Sequence, residues 1–136
     1  MSLTLTLNGN IGRSTSSYQR EVLRDLALAS EECTLETGIK RFLLRYGTGS
    51  NPAPTILPIV VAFDQIVVVK FLYVHVTNDA VIRIENSAGA TNNKSCDITL
   101  GGPEGTLILF PVSVTKLSII STTTDSTEVE IYMAGN

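Results

Sequence analysis

Leu3, Leu5 and Leu7 alternate with Thr4 and Thr6 until the chain reaches Asn8-Gly9-Asn10. That is the two-residue period of a half-buried β-strand running into a turn. The next stretch, "SSYQREVLRDLALASEE", carries two periods at once. Val22, Leu23, Leu26 and Ala29 fall at helical spacing, with Ser17 placed to cap a helix start. Leu26 and Leu28 also alternate with Asp25 and Ala27, as an edge strand would, so residues 18–29 are open between one short helix and a strand. Phe42, Leu44 and Tyr46 then alternate with Arg41, Leu43 and Arg45. Past residues 46–55 the pattern is β throughout. "IVVVKFLYVHV" is a continuous, β-branched run and reads as a central strand buried on both faces. "AVIRIE" sets Ile82 and Ile84 inward with Arg83 and Glu85 outward. "DITL", "TLILF" and "VSVTKLSII" follow, separated by polar or Gly-Pro turns. Val129, Ile131 and Met133 close the chain, alternating with Glu128, Glu130 and Tyr132.

Strands punctuated at intervals of roughly ten residues predict an all-β fold, an antiparallel β-sandwich or jelly roll. No internal repeat or composition break divides the chain, so 1–136 is expected to form a single domain, with 1–13 an N-terminal arm or edge strand. The expected core is Val67, Val69, Phe71, Val74, Ile82, Ile84, Leu107, Leu109, Val129 and Ile131. Residues 3–7 and 129–133 are expected to be exposed edges, which invite pairing and therefore self-association.

Composition sharpens this picture. Of the 136 residues 43% are hydrophobic and only 17% charged, below the roughly 25% usual in soluble domains. Polarity comes from 12 Ser and 16 Thr, residues suited to turns and strands. A low charge fraction also suits a surface partly buried against other chains. The net charge of −3 and the absence of a basic cluster leave no electrostatic footprint for nucleic acid. The opening "MSLTLTLNGN" lacks the basic start and apolar core of a secretory signal, and Pro58, Asp64, Gln65 and Lys70 interrupt the apolar region around residues 56–76, so no membrane span is expected. Synthesis in a cytoplasm follows as an expectation.

Candidate chemistry changes little. "YGTGSNPAPT" (46–55) has glycines but no following Lys, and Pro52 and Pro54 offer no N–H, so it is a crossing between strands rather than a phosphate cradle. Cys33 and Cys96 form no metal spacing and read as two thiols, part-buried. His75, the only imidazole, sits mid-strand without the context of an activated nucleophile. The carboxylates Asp64, Asp79, Glu85 and Asp97 could meet as a hydrolytic pair, but any chain with 13 acids offers such pairs. "TNDAVIRIENSAGATNN" lacks Ca²⁺-loop spacing, and its Asn and Asp serve turns. No catalytic residue, cofactor or metal is expected.

The order of these segments resembles a family of small tailed-bacteriophage virion proteins, some of them in phage heads. The likeness runs from "LTLTLNGN" through "LLRYGTGSNPA", similar to a Gly-Thr-Gly-x-Asn loop, and through "VVVKFLYVHVTNDAVIRIENSAGA". It is closest in "GGPEGTLILFP" and "TKLSIISTTTDSTEVEIYMAGN". The turn differs from the family's in carrying Pro103 and Glu104 between its glycines. The resemblance implies a non-enzymatic β-sandwich that binds a protein lattice. Its most concrete form is a capsid cement or decoration protein, a homotrimer on the major capsid protein or an adjacent virion protein. A neck or tail component is the alternative within that class. A carbohydrate-binding or receptor-binding module is the alternative outside it, disfavoured by the lack of Trp and by 6% aromatics. Because an extended arm can add backbone hydrogen bonds at a sheet edge, Leu3, Leu5, Leu7, Asn8, Asn10 and Arg13 are the candidate capsid contacts. A strand within the protein's own sandwich is the competing role for them.

Overall fold

The computed structural model describes the backbone of residues 3–16, 19–47, 53–87 and 94–136, and side chains within these from residue 32 onward. The described secondary structure is all β: β1 (Leu3–Ser16), β2 (Gln19–Cys33), β3 (Leu35–Leu44), β4 (Ile59–Val60), β5 (Val69–Val76), β6 (Ala80–Asn86), β7 (Lys94–Leu100), β8 (Gly105–Leu109), β9 (Lys116–Thr122) and β10 (Thr127–Gly135). β3 to β10 make two packed four-stranded sheets, ordered β3-β10-β5-β8 and β4-β9-β6-β7.

This order has a simple origin. β6 pairs with β7, β5 with β8, β4 with β9 and β3 with β10, all antiparallel. One long folded ribbon accounts for all four pairs. Rolling it up adds two more, β10 with β5 and β9 with β6. The result is an antiparallel β-sandwich with jelly-roll connectivity. The two-residue period drives the rolling. Leu72, Val74 and Val76 of β5, Ala80 and Ile82 of β6, Leu117 and Ile119 of β9, and Val129, Ile131 and Met133 of β10 are all buried between the sheets. Each fully buried aliphatic side chain contributes about 1.5–3 kcal/mol relative to exposure.

Several expectations need correction. The apolar run 66–76 is not buried on both faces: β5 starts at Val69, Val67 is 74% exposed, and Phe71, Tyr73 and His75 turn to the outer face half-buried. Phe71 packs edge-on against Phe110 and Tyr132 instead of entering the core. Ile84, Leu107 and Leu109 are only partly buried against the core. β10 is not an edge, because β3 and β5 pair with it on either side. The first strand does not stop at Asn8-Gly9-Asn10 but continues to Ser16. Within residues 18–29, Tyr18 lies outside the described residues and Gln19 onward belongs to β2, so the strand period prevails over the helical one. A cross-strand partner supplies what isolated periodicity lacks. Cys33 is buried, whereas Cys96 is exposed on β7.

β1 and β2 pair with each other as a separate two-stranded sheet. Register shifts fall between Thr6 and Asn8, Ile11 and Gly12, and Ser14 and Ser16. This ribbon joins the sandwich beside the C-terminus, where the Thr34 N–H donates to the Gly135 carbonyl at 3.0 Å and lies 3.1 Å from Asn136 Oδ1. β3 and β4 lie in different sheets; of the segment 46–55 between them, residues 48–52 lie outside the described residues, and on either side of these the Thr55 N–H donates to the Arg45 carbonyl and the Arg45 N–H to Thr55 Oγ1.

Candidate functional site

The two outer faces of the sandwich differ in chemistry. On the β4-β9-β6-β7 sheet the register sets polar residues side by side, as a solvated face requires. Arg83 makes a two-pronged bond to Asp97, at 2.6 and 2.8 Å, and Lys116 lies 3.5 Å from Glu85. The Arg83 guanidinium holds the Asp97 carboxyl below its ordinary range, and Asp97 in turn raises Arg83.

The outer face of β3-β10-β5-β8 is different. The register aligns Ile39, Tyr132, Tyr73 and Ile108 as one row across all four strands. Ile39 is 55% exposed and Ile108 44%, with both tyrosines half-buried between them. Beside this row Phe71 contacts Phe110 and Tyr132, each at a centroid distance of 5.8 Å. The Tyr132 hydroxyl donates to Glu36 Oε2 at 2.6 Å. Burial, then the hydrogen bond and charge of Glu36, push the phenol up to about 12.

The adjoining row is charged. It reads Arg41, Glu130 and His75 across β3, β10 and β5, with Thr106 next on β8. Arg41 Nε lies 3.0 Å from Glu130 Oε2, and His75 Nε2 lies 2.5 Å from Glu104 Oε2. Glu104 comes from the turn between β7 and β8, in a left-handed conformation with φ 65°. The Gly102 N–H, donating to Asp79 Oδ1 at 3.0 Å, ties that turn down. An open groove of about 460 Å³ runs along this row, flanked by Leu43, Thr77 and Glu128. The face therefore offers aromatic and aliphatic contact area beside fixed donors and acceptors, the composition of a protein-binding surface. Among the described residues, no three His, Cys, Asp or Glu side chains gather where a metal ion could be held.

The residues expected to touch a capsid all fall on β1, in the ribbon. Leu3 is opposite Cys33, Leu5 opposite Glu31, Asn8 opposite Ala27, Asn10 opposite Asp25 and Arg13 opposite Glu21, with Leu7 inside a register shift. The structure thus gives β1 a partner within the chain that is not part of the sandwich. The outer-face rows were not anticipated. Alternation along β3, β5 and β10 shows which residues share a face, but the sequence gives no register between strands. Comparison with known proteins finds no matching family model, no matching curated protein and no matching solved structure.

Proposed function

We propose that this protein is a non-enzymatic structural component of a tailed-phage virion, most concretely a capsid cement or decoration protein that binds the major capsid lattice as a homo-oligomer. The family resemblance carries the virion assignment and suggests three copies. The observation that supports a gripping role is the two-part build: a compact eight-stranded sandwich, and a separate ribbon whose strands run 14 and 15 residues. At about 3.4 Å per residue such a ribbon reaches more than 40 Å. Its outer backbone edges are available to add strands to a neighbouring sheet. Leu3, Leu5, Leu7, Asn8, Asn10 and Arg13 lie along one of those strands. Weak contacts of this kind suffice when many copies act on one lattice.

Removing residues 1–32 tests the reading. The truncated protein is expected to keep the strand-rich circular dichroism of the sandwich and to lose binding to phage particles that the full chain decorates. Normal decoration without the ribbon removes its gripping role. A full-length protein that never binds a phage particle removes the virion assignment itself.

A further inference from the structure

The outer face of β3-β10-β5-β8 has a symmetry the other face lacks. Reading across the four strands, the apolar row is Ile39, Tyr132, Tyr73, Ile108, which is the same in reverse: Ile, Tyr, Tyr, Ile. The adjoining row is Arg41, Glu130, His75 and Thr106, and the Glu104 carboxylate, reaching His75 from the turn before β8, takes the acceptor place at its β8 end. The row thus alternates donor and acceptor, so reversal places every donor over an acceptor. Both rows are matched to their own mirror order by one operation, a two-fold rotation about an axis parallel to the strands and midway between β10 and β5. A two-fold axis perpendicular to the strands would instead set the charged row over itself, Arg41 on Arg41, when it runs along that row, or the charged row over the apolar one when it runs midway between them.

We infer that this face is a two-fold interface with a second copy of the same chain. In the pair, Ile39 packs on the partner subunit's Ile108, and Tyr132 on the partner subunit's Tyr73. Arg41 faces the partner subunit's Glu104, and Glu130 faces the partner subunit's His75. An isologous contact of this kind closes on itself and adds no further copies. The apolar row supplies the anchors, with tyrosines at the centre, where binding energy concentrates. The charged row fixes orientation and rejects the other two-fold. Four strands span only about 15 Å between the outer axes, so the contact is at the small end of stable interfaces and its pairing depends on concentration. The inference does not depend on the virion assignment, since it uses no capsid and no ribbon residue, and it gives two copies in free solution where the resemblance suggests three.

Sedimentation of the full-length protein across a concentration series tests it. The unmodified chain is expected to pass from monomer to dimer, and Ile39→Asp with Ile108→Asp to weaken pairing by at least about tenfold, the effect of losing one good anchor. Both isoleucines are exposed, so the fold is expected to survive, as circular dichroism would report. Arg41→Glu is expected to weaken pairing, and adding Glu104→Arg in the same chain to restore it. A purely structural role for either residue would give no such rescue. A chain that stays monomeric, a trimer untouched by the isoleucine substitutions, or a failure of the double charge reversal to recover pairing would each overturn the inference. Particle decoration is measured separately, so the virion reading can fail while this one stands, and the reverse.

Discussion

Single residues decide whether the sandwich closes at its C-terminal corner. Gly135 ends β10 between β3 and β5, and a Cβ there would strike the Val68 carbonyl. The same corner is held by Asn136, whose backbone carbonyl accepts from Val67 and Val68 N–H at 2.9 and 3.0 Å. Neither backbone can yield without opening this ladder. Gly135→Ala is therefore expected to cost about 1–3 kcal/mol through overpacking, read as a lower urea midpoint with an unchanged slope. Tyr132 gives a residue-scale prediction of a different kind. Its folded pKa stands at about 12 against an ordinary 10.0, because burial and the Glu36 carboxylate both disfavour the phenolate. The fold thus favours the protonated form. That contribution is complete below pH 10 and is lost as pH rises through about 12. Ultraviolet tyrosinate absorbance should show a late-titrating component that Tyr132→Phe abolishes. Its persistence in the variant would assign it to another tyrosine.

At the scale of elements, position in the sheet outweighs hydrophobicity. β10 and β5 are each paired on both sides and bury Ile131, Met133, Leu72 and Val74 completely. β4 is two residues long and sits at an edge, while among the described residues no third strand joins β1 and β2. A two-stranded sheet by itself is marginal in water, and local opening follows such differences in support. Hydrogen exchange in dilute protein is expected to be slowest in β10 and β5 and much faster in β4, β1 and β2. Ribbon amides as protected as those of β10 would show that the ribbon is supported in a single copy. The alternation of Val129, Ile131 and Met133 with Glu128, Glu130 and Tyr132 was legible as a strand with one buried face. That β10 lies in the middle of its sheet was not legible, because alternation looks the same on an edge strand and on a central strand with one exposed face.

For the whole molecule, the two proposals use different surfaces. The sheet face with Ile39, Tyr73, Tyr132 and Ile108 suits a second copy of the chain. The ribbon, joined beside the C-terminal corner, suits a sheet edge on another protein. Among the residues whose side chains are described, the fully buried ones lie at Cys33 and beyond, so removing residues 1–32 is expected to leave the thermal midpoint of the sandwich close to that of the full chain. A large drop would place the ribbon within the cooperative unit.

The sequence by itself determined the all-β class and the inward sets Ile82 with Ile84 and Val129 with Ile131. These depend on local period and on turn chemistry, which each segment carries alone. It did not determine the outward turn of Phe71, the exposure of Val67, the strand at Gln19–Cys33 or the rows across β3, β10, β5 and β8. A hydrophobic residue declares only that burial is favourable; which partner buries it depends on pairing between segments far apart in the chain. Register between strands is a tertiary property, fixed when the ribbon rolls and the two inner faces interlock. Only that register brings Arg41, Glu130 and His75 into one line, where Glu104 reaches His75.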